Sequence, residues 1–341
     1  MWHKLNRMIL AVAIVLTAAT SQAITIETVP VGDPGNAGEL SGSSVFNGAG
    51  DDRICGAVGY TYQIGKYEVT TGQYCAFLNA VARTDTYGLY NTGMLSGCKI
   101  QQSGASGNYT YSFETDYANR PVNCVSWGNA TRFANWLHNG QPTGNQSLST
   151  TEDGAYYLNG STTDDALMAV SREADWKWAV TSEDEWYKAA YYKGGGTNAG
   201  YWKYPTRSNT EPGRDMADVS GNNANWHFSS GTYPIDSGKY TTLGGEFQNS
   251  ASPYGTFDQG GNVWEWNESI ESSFRGLRGG SFDSGPGYLN ACCRWYSLNP
   301  SFRSYNAIGF RVVSAVPEPG SITLFFTGIA CLLAYAWRRR K

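Results

Sequence analysis

Residues 252–266 read SPYGTFDQGGNVWEW, and the fold turns on this stretch. Asp258 and Glu265 are two hard oxygen donors flanking a glycine turn, with the carbonyls of Gly261 and Val263 between them. Such a set can begin a calcium cage of roughly 6–8 oxygens. The same residues equally suit a tight turn in which Asn262 bonds its own backbone and Trp264 and Trp266 enter the core. Around it, from 194 to 313, short aromatic segments alternate with Gly, Asn, Ser and Pro. This half is therefore expected to be irregular, with short strands and little helix.

Upstream the periodicity is clearer. Residues 60–69 (YTYQIGKYEV) alternate as a strand or hairpin. Thr70 or Thr71 then caps a helix with Tyr74, Phe77, Leu78 and Val81 on one face. Ser126 opens a second helix with Ala130, Phe133, Ala134 and Leu137 inward. Ser182 and Glu185 form the capping box of a third, with Trp186, Ala189 and Ala190 facing the core. Residues 83–119 and 140–165 read as long loops, and 24–59 as an N-terminal arm, a first strand or a loose segment. With no repeat and no linker, 60–315 is one α+β domain.

The chain has 341 residues, of which only 16% are charged, with 41 Gly, 23 Tyr and 12 Trp. That composition excludes disorder, coiled coil and collagen. Residues 1–23 carry Lys4 and Arg7, an apolar run, and small residues at Ser21 and Ala23, the layout of a signal peptide cleaved after Ala23. Residues 321–337 lack charge and precede Arg338, Arg339, Arg340 and Lys341, as a short transmembrane segment with a positive inner flank would. Without 1–23 and 317–341 the body holds 19 basic and 28 acidic residues, net −9. An acidic exported body is a poor nucleic-acid binder. Six cysteines remain outside the tail (Cys55, Cys75, Cys98, Cys124, Cys292 and Cys293), and an even number in an exported chain favours disulfides. No CxxC is present, and with only three histidines a His-based triad or iron site has almost nothing to use.

The tail, from Pro317-Glu318-Pro319 through the apolar span to the basic cluster, resembles a PEP-CTERM sorting signal over 316–341. That resemblance implies transient membrane anchoring, removal by an exosortase-type protease, and secretion or cell-envelope residence in a Gram-negative-type bacterium. The body resembles the formylglycine-generating enzyme, or sulfatase-modifying factor, family. The marks are IGKYEVT (64–70), RPVNCVSWGNATRFANWL (120–137), SEDEWYKAAYY (182–192), the opening stretch, RGGSF (278–282) and IGFRVV (308–313). The resemblance implies a variant C-type lectin-like fold with low regular secondary structure. It places a calcium site on Asp258, Gly261, Val263 and Glu265, and a second on Asn225 and Trp226, although Thr241 and Thr242 stand where that second site's aspartate is expected.

The catalytic part of the family pattern is missing. The enzymes resembled hold copper(I) with two cysteines just after Gly-Gly-Ser; here those positions are Ser284 and about Leu289. Soft thiolates suit copper(I), and serine and leucine do not, so copper is not expected. Trp264 and Ser281 match the family's pocket, and both also suit packing and turn roles. Cys292 and Cys293 are nearby, but neighbours in a strand face opposite ways. The arginines at 278, 294, 303 and 311 are expected to cap carbonyls and pair with acids rather than hold an anion. The many Trp and Tyr residues suit either a core or a sugar- or peptide-binding platform. The expectation is a non-catalytic extracellular or surface binding module for a glycan, an exopolysaccharide or a cell-surface protein. The alternative is a formylglycine-generating-type or other metal-dependent oxidase with a rearranged Cys292/Cys293 site.

Overall fold

The computed structural model describes residues 23–45, 48–228, 233–295 and 298–316. All but the last residue of the expected signal peptide, and the sorting tail beyond Val316 with its transmembrane segment, lie outside the described residues. Among the described residues no helix is long and apolar enough to cross a membrane.

In chain order the elements are β1 (Thr28–Val31), β2 (Glu39–Ser41), β3 (Arg53–Cys55), β4 (Tyr62–Gly65), α1 (Thr71–Val81), β5 (Ile100–Ser103), β6 (Thr110–Phe113), α2 (Trp127–His138), α3 (Asp164–Met168), β7 (Trp178–Val180), α4 (Glu183–Tyr191), β8 (Trp264–Glu271), β9 (Phe274–Arg278), β10 (Ile308–Phe310) and β11 (Val312–Ala315). The main sheet runs β1-β4-β11-β7, every pair antiparallel. A second sheet runs β10-β8-β9, with β10 parallel to β8.

Local chemistry sets the helices. Thr70 accepts from the Gln73 amide while the Gln73 side chain takes the Thr70 amide, so α1 starts with two donors satisfied at once. Ser126 caps α2 by accepting from the Asn129 amide at 3.0 Å. The apolar faces of these two helices meet around Phe133, whose ring lies 5.3 Å from Phe77, 6.0 Å from Tyr74 and 5.4 Å from Phe310. That contact ties both helices to β10, and hence to the sheet that carries the glycine turn.

Two segments read as loops are ordered otherwise, and the first strand allowed for in the N-terminal arm is present. Within 83–119, β5 and β6 form a hairpin, with Ile100 opposite Phe113 and Ser103 opposite Thr110. Only Ile100 and Tyr111 of that hairpin are buried, so its polar flanks hide the alternation. Helix α3 begins within 140–165, capped by Thr163. The arm's β1 is the edge strand of the main sheet, pairing Thr28–Val31 with β4.

Candidate functional site

The turn before β8 is built on backbone shapes that few residues adopt. Gly261 has φ +87°, and a Cβ there would sit 2.2 Å from the Asn225 carbonyl oxygen. That closeness has a purpose: Asn262 N–H donates to the same carbonyl at 2.8 Å. Asn262 is itself left-handed, at φ +61°. Its Oδ1 accepts from the Thr242 amide at 3.0 Å and its Nδ2 donates to Glu68 at 3.2 Å, so the side chain stitches distant segments rather than its own turn.

Around this turn lie three carboxyl groups and one guanidinium. Glu265 is fully buried and gripped at both oxygens by Arg311, at 2.6 and 2.7 Å, with Trp186 donating at 2.7 Å. Asp258 accepts from the Gly245 amide at 2.7 Å. Burial pushes Asp258 up to about 6. Burial, then the neighbouring Asp258, push Glu68 well above the usual carboxylate range. Of the residues expected to hold calcium, Asp258 thus fits a hard cation, while the charge of Glu265 is already met by Arg311. At the other expected site, the Trp226 carbonyl accepts from Arg214 Nε at 2.6 Å, and Asn225 Nδ2 donates to the Tyr240 carbonyl. The Trp226 carbonyl there is thus already engaged by a guanidinium.

The Gly279-Gly280 turn, at φ +98° and +73°, lets β9 end directly against Gln259 and Leu289. Ser281 follows, fully buried, its Oγ 3.0 Å from Ser284 Oγ. Leu289 closes the short 3-10 turn Pro286–Leu289 and is buried with Tyr204, Ala224 and Trp226. Ser284 and Leu289 thus offer a hydroxyl and an aliphatic side chain, neither of them a soft metal ligand. Trp264 is buried between Trp295, 4.9 Å away, and Tyr288.

Cys292 lies in a turn and Cys293 in an isolated bridge to Ala49, so the two are not neighbours in a regular strand as the opposite-face expectation assumed. Cys292 Sγ donates to Asn290 Oδ1 at 3.0 Å, and Cys293 Sγ to the Gly287 carbonyl at 2.9 Å. Interaction between the two neighbouring thiols lowers Cys292 and raises Cys293. The disulfide expectation is also corrected: none of the six described cysteines is disulfide-bonded. Their burial explains the tolerance, since it pushes Cys55 and Cys98 up to about 11 and Cys75 and Cys124 up to about 12, away from reactive thiolate.

The arginines behave as expected. Arg278 and Arg294 converge on Glu183, Arg311 holds Glu265, and Arg303 donates to the Gly88 carbonyl.

Beside Ser281 a set of aromatic rings reaches the surface. Tyr240 is 47% exposed, with its ring 5.3 Å from Phe282 and 5.7 Å from Tyr233. Tyr233 also meets His227 at 4.7 Å. Asp283 is exposed at the rim, accepting from Tyr305 at 2.8 Å and Tyr233 at 3.4 Å. Single-residue reading missed this patch and Glu68 alike. The surplus of tyrosine was the available signal, but the rings come from segments about fifty residues apart in sequence.

A profile of the sulfatase-modifying factor enzyme 1-like domain matches residues 57–316. The chain belongs to this family. A PEP-CTERM protein-sorting motif matches residues 315–341, which implies export to the cell envelope of a Gram-negative-type bacterium and exosortase-type processing. No curated protein matches the chain. Among solved structures, CarF is similar with a TM-score of 0.53 at 21% identity, covering 86% of this chain and 100% of its own. Variable protein 1 of Treponema denticola is similar with a TM-score of 0.52 at 20% identity, covering 86% and 97%. Family and neighbours together show the variant C-type lectin-like fold.

Proposed function

We propose that this sulfatase-modifying factor-like protein is a non-catalytic binding module of the envelope or extracellular space, and that its ligand is a glycan such as an exopolysaccharide. The observation that carries this reading is the exposed Tyr240 ring, flanked by half-buried Tyr233 and backed by the buried Phe282, while Ser284 and Leu289 nearby offer no soft ligand for copper(I). Aromatic faces stack on sugar C–H surfaces, and Asp283 supplies an acceptor for hydroxyls at the rim. The test is affinity electrophoresis in the producing bacterium's exopolysaccharide. Tyr240→Ala and Asp283→Asn should each weaken retention by about tenfold with an unchanged melting curve. No retention of the wild-type protein overturns the glycan reading. Tight anaerobic copper(I) binding with oxygen-dependent thiol turnover at Cys292 and Cys293 instead establishes the oxidase alternative.

One structural calcium belongs to the same proposal, with Asp258 as its charged ligand and the carbonyls of Gly261 and Val263 beside it. Glu265, held at both oxygens by Arg311, lends no free charge to it. Such an ion neutralises the surplus carboxyl charge of Asp258 and Glu68. Binding only the folded state, it should raise the melting temperature with free calcium, and Asp258→Ala should remove that increment. A melting curve indifferent to both calcium and chelator overturns it.

A further inference from the structure

Helix α2 ends in the paired bonds of a glycine-terminated helix: Gly140 N–H to the Leu137 carbonyl at 3.1 Å and Gln141 N–H to the Trp136 carbonyl at 2.8 Å. Gly140 has φ +80°. Gln141 is also left-handed, at φ +62°, a conformation that costs a non-glycine residue free energy. Trp136 Nε1 donates to the Pro142 carbonyl at 2.9 Å and fixes the chain just beyond. The Gln141 side chain therefore leaves a rigid base in a set direction.

Its carboxamide engages both backbone groups of one residue. Oε1 accepts from Ile24 N at 2.7 Å, and Nε2 donates to the Ile24 carbonyl at 2.9 Å. Gln73, in the first turn of α1, holds the next carbonyl, that of Thr25, at 2.9 Å. Ile24 and Ile26 pack against the main core, while Ala23, Thr25 and Glu27 face outward. Among the described residues, side-chain anchoring of the chain begins at Ile24, the residue that the small-residue pattern at Ser21 and Ala23 is expected to make the first of the mature protein. Residues 24–27 also wall a cavity of about 720 Å³, opposite Tyr67, Gln73 and Leu243.

We propose that Gln141 is a binding site for the free amino terminus created at Ile24, so that removal of the leader locks this wall onto the body. Hydrolysis of the Ala23–Ile24 peptide bond by a signal-peptidase-class enzyme leaves a carboxylate on Ala23 and an ammonium on Ile24. The ammonium lies at the carbonyl end of α2, where the helix dipole favours positive charge. Its bond to Gln141 becomes charge-assisted, roughly twice as strong as a neutral one. The proposal is independent of what the aromatic patch binds.

The experiment uses the full precursor, exported by a Gram-negative host, in wild-type form and with Ala-Gly inserted between Ala23 and Ile24. Intact mass reads the first residue of each product. The insertion should lower the melting temperature by about 2 °C and raise amide exchange over residues 25–31 several-fold. Gln141→Ala should bring the wild type down to the level of the insertion form, after which insertion has no further effect. Gln73→Ala, which loosens Thr25 without touching Ile24 N, should lower both forms equally and keep their difference. The proposal is overturned if insertion leaves both readouts unchanged, or if the exported wild-type chain begins elsewhere than Ile24.

Discussion

The α1–α2 half and the glycine-rich half of this molecule are held together by different physics. In the first, apolar stripes on two capped helices converge on Phe133, and regular hydrogen bonding satisfies the backbone internally. In the second, regular structure is scarce, so buried carbonyls depend on side chains. Arg275 donates to the carbonyls of Leu167, Val170 and Glu268 and stacks 3.8 Å over Trp127. Arg278 donates to the carbonyls of Ala291 and Cys293 and binds Glu183, which also takes Arg294 and Arg53. A guanidinium offers five donors in a rigid fork, which suits it to an interior of irregular loops. The comparison teaches that low secondary-structure content shifts the load from apolar periodicity to charged hydrogen bonding.

Breaking the buried pair should show this most strongly. Arg311→Ala leaves Glu265 buried and uncompensated, at a cost of about 3–5 kcal/mol in urea unfolding. Leu78→Ala in the other half should cost about 3 kcal/mol through the cavity it opens. The two losses differ in kind. Adding Glu265→Gln to Arg311→Met should recover much of the first, because both charges are then gone. A double variant no more stable than Arg311→Ala would contradict the ion-pair account.

A smaller effect sharpens the boundary between the halves. Ser182→Ala removes the hydroxyl that accepts from the Glu185 amide at 3.1 Å, and should cost about 1 kcal/mol. Glu185 would still hold Arg172 at 2.8 Å, so the loss should stay confined to the helix start. A loss of 3 kcal/mol or more would mean that the cap also positions that ion pair.

The smallest effect is a pH dependence at Lys188. Burial pushes its amine down to about 8, and its Nζ donates to the Asp33 carbonyl at 2.9 Å. The folded state therefore binds fewer protons than the unfolded state between about 8 and the ordinary lysine range. Wild-type stability should rise relative to Lys188→Met as pH climbs through that window, and the difference should be flat from pH 6 to 7. A difference that stays constant from pH 7 to 10 would show that the amine keeps its charge.

How legible the protein was depends on how local each signal is. The caps at Thr70, Ser126 and Ser182 were readable because an N-cap acts over three residues, and all three helices start there. The β5–β6 hairpin was not, because its Gln and Ser neighbours carry no alternation strong enough to separate it from a loop. At the candidate site, the glycine turn was readable from the motif. The partnership of Glu265 with Arg311, 46 residues away, was not.

By itself, the sequence determined the family, the sorting tail and the starts of its main helices, since each is written in contiguous residues or a fixed order of motifs. Tertiary structure alone decided which carboxylates are neutralised, that the six described cysteines are not joined as disulfides, and that the Cys292 and Cys293 thiols turn to Asn290 and the Gly287 carbonyl. It also decided that the exposed Tyr240 meets Tyr233 and the buried Phe282, from segments far apart in the chain. Charge compensation, sulfur pairing and surface patches depend on distances in space, and in a loop-rich chain sequence separation says little about those distances.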